Sequence, residues 1–214
     1  LEAVYGQPFF KFPHLPIGAN ETEEFLHGVL DIAKHLEIAI DYDNAAGFIN
    51  HESAAYYEEV DNLATFLLEF RYGLPNHVHI IHDAGYVVGL SKFLLHETGI
   101  VPKEQFIVDN TPEKFQQAIE EDLKTTSSKK SIPLTFEPDA GKVQDIIRGL
   151  SYEGRGLIIG SGWDKQLAKE KKYDFISASV PSPYRLVLTT SYVGFHGGLR
   201  VMEDIFNSVL STYK

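Results

Sequence analysis

Residues 77–95, HVHIIHDAGYVVGLSKFLL, constrain the fold more than any other stretch of this chain. A short β-rich run ends at His82, turns through Asp83-Ala84-Gly85-Tyr86, and passes directly into an apolar helical pattern. A strand feeding a helix in this way opens a Rossmann-like domain, whose ligand crevice lies where the strand's carboxyl end meets the helix amides. Residues 1–75 precede this unit and have a different character.

In that leading part, Pro8, Pro13 and Pro16 among aromatics suggest an extended segment over residues 1–19. Asn20 followed by Glu23 has the spacing of a capping box, and Phe25, Leu26, Val29, Leu30, Ala33 and Leu36 continue at helical period. The acid-rich run Glu21–Glu24 reads as favourable charge at that helix N-terminus. A second helix is expected over roughly Asn44–Tyr72, with Phe48, Ile49, Ala55, Tyr56, Leu63, Phe66, Leu67 and Phe70 on its buried side. The two helices read as a linker bundle, packed on the later domain or on a partner.

From residue 76 to 214 strands and helices alternate. Expected strands are Val78–Ile81, Phe106–Val108, Leu134–Glu137, Gly156–Ile159 and Phe175–Ala178. The first helix, Val87–Glu97, stops at Gly99. Thr111-Pro112 suggests a capped helix to about Leu123, and Lys124–Ser131 a surface loop. Asp139 caps a helix carrying Val143, Ile146, Ile147 and Leu150. A charged helix spans about Asp164–Lys171, and a last one carries Leu199, Met202, Ile205, Phe206, Val209 and Leu210. Short apolar strands between amphipathic helices predict an α/β fold: a Rossmann-like, doubly wound parallel sheet of about five strands, preceded by a helical segment. Right-handed crossovers favour the order 3-2-1-4-5.

Composition narrows the function classes. A net charge of −11 argues against nucleic acid, whose phosphates need clustered Lys and Arg, and against anionic lipid. No apolar run approaches the roughly 20 residues that span a bilayer, and no signal peptide is visible, so the expected compartment is the cytoplasm. The chain contains no cysteine and therefore supplies no thiolate to a metal cluster. Its only methionine is Met202, and an opening of LEAVYGQPFF reads as a piece of a longer protein.

The turns at strand ends are the candidate binding features. Asp83 to Gly89 lacks the three glycines of a dinucleotide fingerprint, so a plain βα turn stands beside nicotinamide binding. Gly160-Ser161-Gly162 has amides suited to an anion, although a tight strand-to-helix connection needs the same small residues. Ser161 lacks the G-x-S-x-G context of a nucleophile. His77 and His79 share a strand face but have no third ligand, which favours a partly exposed strand start over a metal pair. His82 and His196 lie where a crevice side chain or a hydrogen-bonded structural histidine would serve equally well.

Four ordered segments resemble a known family. PHLPIGANETEEFLHGV is similar to its P-x-G-x-x-x-T-(D/E)-x-(F/L)-L helix entry, and HDAGYVVGLSKFLLHETG to its GDPDFxxGLTRFLxxLG strand–turn–helix. GSGWDKQLAKE resembles GNSYGKxL, and SYVGFHGGLRVMEDIFNSVL resembles the WGYxGGLxLxxxIxxxxL ending. The family is that of nitrogenase component 1, the molybdenum–iron protein, and the likeness is closer to β-type and cofactor-assembly subunits than to the catalytic α-type. The resemblance implies a parent subunit of three Rossmann-like domains, paired with a second component 1-type subunit. It also implies iron–sulfur clusters in the parent, reduced by an iron protein. This chain would be the third domain and the helices leading into it. The α-type histidine that binds the catalytic cofactor would fall near Tyr184, and no imidazole lies between Ser179 and Phe195 to take that role.

The expected contribution is one wall of an interdomain cofactor crevice, inactive alone, with no metal ligand and no catalytic residue in this segment. Asp83, Gly85, Tyr86, Ser161, Gly162 and Trp163 are expected to line it, giving shape and amide donation to an anionic cofactor. Two other readings remain open: a stand-alone module for a small anion or nucleotide, and a domain that only builds a subunit interface.

Overall fold

The computed structural model describes residues 2–6, 8–70, 73–126 and 132–211. Helices α1 (Glu2–Tyr5), α2 (Gly18–His35) and α3 (Tyr42–Phe70) come first. Then follow β1 (His77–His82), α4 (Ala84–Phe93) and β2 (Gln105–Ile107), then α5 (Glu113–Thr126), β3 (Leu134–Phe136) and α6 (Ala140–Gly149). The series ends with β4 (Gly156–Gly160), α7 (Lys165–Lys171), β5 (Asp174–Ser177) and α8 (Gly194–Ser211). The five strands are all parallel, in the order β3-β2-β1-β4-β5. This is the expected doubly wound arrangement, with β1 and β4 at the switch point.

All six residues of β1 and all five of β4 are buried, as a sheet centre covered on both faces requires. Val78, Ile80, Leu157 and Ile159 face one side and join Leu90, Val201 and Ile205 in the main core. Ile81, Phe106 and Ile158 face the other, against Val143, Ile147 and Leu167. The β1–β2 ladder is short, beginning at Ile81↔Phe106. Ahead of it the buried Gln105 side chain accepts from the Ile80 amide at 2.9 Å and donates to the Val78 carbonyl at 3.0 Å, so the backbone there stays satisfied.

The leading helices pack on this body through α8. Ile17, Ala19 and Tyr56 belong to the same core cluster as Val78 and Ile80. A Cβ on Gly198 of α8 would stand 2.5 Å from the Gly18 Cα, so the two helices touch backbone to backbone. The preceding segment is also pinned. Gly194 donates to the Pro16 carbonyl at 2.8 Å, and Leu15 to the Gly85 carbonyl at 3.3 Å.

Several local expectations are corrected. Residues 1–19 are not wholly extended, since α1 forms one turn and α2 begins at Gly18. Asn20 is therefore inside α2; the residue at the cap position is Ile17, which offers no side-chain cap. The acceptor comes instead from 77 residues away, where Glu97 Oε1 takes the Asn20 amide at 3.1 Å. Glu97 lies on a π-helical turn, Leu94–Thr98, that extends α4 and closes at left-handed Gly99. Of the predicted stripe on α3, Ile49 and Tyr56 are buried, whereas Phe48 and Phe66 are exposed because α2 and α8 cover only one narrow side. The side chains of Leu67 and Phe70, the end of that helix at residue 72 and loop residues 127–131 lie outside the described residues. Helix α5 begins at Glu113, and Thr111 donates its hydroxyl to Asp109 rather than capping. Asp139 caps α6 as expected, accepting from the amides of Gly141 and Lys142.

Two buried polar groups have opposite proton linkage. Glu21 is not a solvated helix-end acid; it is buried with His14 and Lys92. His14 binds Glu21 through Nε2 and lies 3.3 Å from Asp122 through Nδ1, while Lys92 reaches Asp122 at 2.9 Å and Glu21 at 3.7 Å. Burial opposes the charged imidazole most strongly, but the two carboxylates outweigh it and raise the His14 pKa. His77 and His79, expected to be partly exposed, are 1% and 0% exposed. They pack against Tyr152 and Tyr173, and burial first of all pushes both pKa values down.

The sign of each effect follows from linkage. His14 is raised above its ordinary 6.5, so its contribution is complete below pH 6.5 and is lost as pH rises through its folded value. The His77–His79 pair contributes above pH 6.5 and loses its contribution on acidification. Urea unfolding midpoints measured upward from pH 6.5 should therefore fall more steeply for the wild type than for His14→Gln. Gly198→Ala, which adds a methyl at the α2–α8 contact, should cost about 1–3 kcal/mol in the same assay.

Candidate functional site

Parallel pairing of β1 with β4, in register from His77↔Gly156 to Ile80↔Ile159, places their following turns side by side at the carboxyl edge of the sheet. One turn carries Asp83, Gly85 and Tyr86; the other carries Ser161, Gly162 and Trp163. In this fold class such neighbouring turns supply amides to anions. What decides the chemistry is where those amides point now.

In the first turn, Asp83 is the N-cap of α4 and its Oδ1 accepts the Tyr86 amide at 3.1 Å. The Ala84 amide donates to Asp109 Oδ2 at 2.9 Å. His82 Nδ1 lies 2.8 Å from the Asp83 carboxylate, and its ring packs against Tyr86 at 4.1 Å between centroids with the planes tilted by 34°. The His82 contact, then the amides, hold the Asp83 pKa below the ordinary carboxylate range against the effect of burial. Burial and the Asp83 charge push the Tyr86 phenol up, so it remains neutral. Gly85 gives its carbonyl to Leu15. Close by, the Leu15 carbonyl comes within 2.5 Å of where a Cβ on Gly89 would lie, so the entry segment overlies this turn.

In the second turn, a 3-10 helix over Gly162–Asp164 starts at Ser161. Asp164, 2% exposed, accepts both the Ser161 amide and the Ser161 hydroxyl at 2.8 Å. The Trp163 amide donates to Ser161 Oγ at 3.3 Å, and the Gly162 amide to the Pro181 carbonyl at 2.7 Å. This capping box puts a carboxylate where a bound anion would sit. Each of the amides of Ala84, Tyr86, Ser161, Gly162 and Trp163 thus has a partner within the chain.

The six predicted residues share an edge, and Tyr86 and Gly162 border different recesses. Tyr86 lines a small recess of about 90 Å³ with Arg185 and Tyr192. Gly162 borders a groove of about 780 Å³ beside β5. Trp163 projects into solvent, 69% exposed. Sequence reasoning missed the anchor between these recesses, a network centred on Asp204. That carboxylate accepts from Tyr192 at 2.6 Å, from Arg185 at 2.5 Å and from Arg200 at 3.2 Å. Arg185 could have been singled out, because no other Asp, Glu, Lys or Arg occurs between Asp174 and Arg200.

Iron–sulfur ligation needs thiolates, and the chain has none. Among the described residues no group of three or more His, Cys, Asp or Glu is placed to hold a metal. The donor set does not fit direct ligation of a cluster. Asp164→Ala should leave the Ser161 donors without an acceptor and cost about 2 kcal/mol of stability in chemical denaturation.

Comparison with known proteins agrees with this architecture. A family model for nitrogenase component 1 type oxidoreductases matches residues 1–210. A solved structure, nitrogenase Cp1 at pH 6.5, superposes with a TM-score of 0.64 at 23% identity over 92% of this chain. The chain spans 39% of the length of that nitrogenase chain. A crystal structure of MtNAS in complex with MTA and tNA aligns at 11% identity over 66% of this chain and 49% of its own, with a TM-score of 0.28, too low to bear on the fold. No curated protein matches the chain. No described helix is long and apolar enough to cross a membrane. The family match over residues 1–210 settles the class: the chain belongs to the nitrogenase component 1 type oxidoreductases.

Proposed function

We propose that this chain is the third Rossmann-like domain, with its leading helices over residues 1–75, of a component 1-type oxidoreductase subunit. In the parent, which serves nitrogen fixation or metal-cofactor assembly in the cytoplasm, it forms one wall of an interdomain crevice. Clusters of iron and sulfur, the iron protein reductase and the second component 1-type subunit act on the parent; the isolated segment performs no turnover. Asp83, Gly85, Tyr86, Ser161, Gly162 and Trp163 contribute the shape of that wall rather than hydrogen-bond donors.

The observation that carries this reading is the pairing of spent amides with exposed apolar side chains along the same edge. Trp163 is 69% exposed, Val180 87%, Leu186 83% and Leu188 82%. An edge that offers apolar surface and whose Ala84, Tyr86, Ser161, Gly162 and Trp163 amides are already bonded suits contact with other protein layers better than capture of a soluble anion. The same internal capping weighs against a stand-alone nucleotide or anion module.

Two measurements test the reading. The gene upstream of the Leu1 codon should continue in frame and encode widely spaced cysteines in a preceding Rossmann-like domain; a stop codon immediately upstream would overturn it. In the parent, Trp163→Asp and Leu188→Asp should lower the iron retained on purification. In the isolated chain the same exposed substitutions should shift stability by no more than about 0.5 kcal/mol.

A further inference from the structure

We propose that residues 8–15 form a strap, closed over the first strand-to-helix turn while His14 carries a proton and released when that proton leaves. The device belongs to the chain itself and goes beyond the function proposed above. The sequence of the strap, PFFKFPHL, gives little to hold it by. Pro8 and Pro13 have no backbone donor, and Lys11, its other charged residue besides His14, is exposed.

The strap reaches the turn through Leu15. Its amide donates to the Gly85 carbonyl at 3.3 Å, a long bond, and its carbonyl covers Gly89. Beyond Leu15 the chain is fixed, since Ile17 is buried and the Pro16 carbonyl accepts from Gly194 at 2.8 Å. Pro16 and Ile17 are therefore the hinge, and residues 8–15 the part that moves. Phe10 and Phe12 pack on Phe25 of α2 at 5.9 and 5.4 Å between centroids, an apolar contact that pH leaves unchanged.

His14 supplies the control. It is 6% exposed, on a segment that has neither helix nor strand. Glu21 of α2 faces its Nε2, and Asp122 of α5 lies 3.3 Å from its Nδ1. A neutral imidazole has one N–H, so it serves one of these carboxylates and turns a lone pair toward the other; the imidazolium serves both. Lys92 of α4 reaches Asp122 at 2.9 Å and Glu21 at 3.7 Å, and His96 of the π-helical turn lies 3.7 Å from Glu21 at the partly exposed side. Protonated His14 and Lys92 together balance the two carboxylates. Loss of the His14 proton leaves buried negative charge that is poorly compensated. Glu21, Lys92 and Asp122 sit on packed helices, so the strap is the element that yields.

Burial acts most strongly against the charge on His14, yet the contacts with Asp122 and Glu21 prevail and hold its pKa above 6.5. The strap is thus shut below pH 6.5 and loosens as pH rises through the folded value. Release uncovers Gly85 and Gly89. The bonds of Asp83, Asp109 and Asp164 within the turns do not involve the strap and stay in place.

The test uses the whole chain. Hydrogen exchange at the Leu15 amide, corrected for the intrinsic dependence on pH, is followed beside the ring proton shifts of His14. From pH 6.5 upward Leu15 should lose protection in step with the His14 titration. Low urea should hasten exchange at Val78 but not at Leu15, because a local opening exposes little surface. The pH dependence at Leu15 should be lost in His14→Gln, and Asp122→Asn should move its midpoint to lower pH. Leu15 protection that stays constant across the His14 titration, which needs no variant, would overturn the strap. So would an unchanged pH dependence in His14→Gln, or urea sensitivity at Leu15 equal to that at Val78, which marks global unfolding.

Discussion

Parallel pairing of β1 with β4 is the contact on which the remaining architecture rests. Both strands are buried along their whole length, so their backbone groups have no water to turn to and must be satisfied in the ladder or by side chains. Once that register is fixed, alternation of side chains divides the interior into two layers. Val78, Ile80, Leu157 and Ile159 meet α4 and α8, and Ile81 and Ile158 meet α6 and α7. The same register brings two strand-to-helix turns together at one edge, and everything concerning ligands follows from how those turns are finished.

They are finished with carboxylates. Asp83 and Asp109 take the amides of Tyr86 and Ala84 at the start of α4, and Asp164 takes the Ser161 amide and hydroxyl in the second turn. A helix start that elsewhere in this fold class attracts phosphate is here neutralised from within, and the dipole is satisfied by the chain itself. The result is an edge of fixed shape with apolar residues projecting beyond it. In a member of the nitrogenase component 1 family, that arrangement supports the packing surface proposed above.

Much of this was legible before any coordinates. The Asp139 cap and the stop at Gly99 follow from residues within one turn of one another, and the strand order follows from alternating strands and helices joined by right-handed crossovers. The misreadings share the opposite property. The start of α2 is stabilised by Glu97, which no window around Asn20 contains. His77 and His79 look like an exposed strand start until Tyr152 and Tyr173 arrive from far along the chain. Glu21 looks like a solvated helix acid until His14 and Lys92 reach it from elsewhere in the chain, with Asp122 bonded to both of them. At the second turn the signal was present: Ser161 and Asp164 stand at capping-box spacing, a local motif that closes the amides the glycines seem to open.

The central claim is that the turn amides between sheet and helices are committed within the chain. Amide chemical shifts of Ala84, Tyr86, Ser161, Gly162 and Trp163, followed while inorganic phosphate or a nucleotide is added, test it most directly. The account predicts that these resonances stay in place throughout the titration at constant ionic strength. Saturable, concerted movement of the same amides would contradict it.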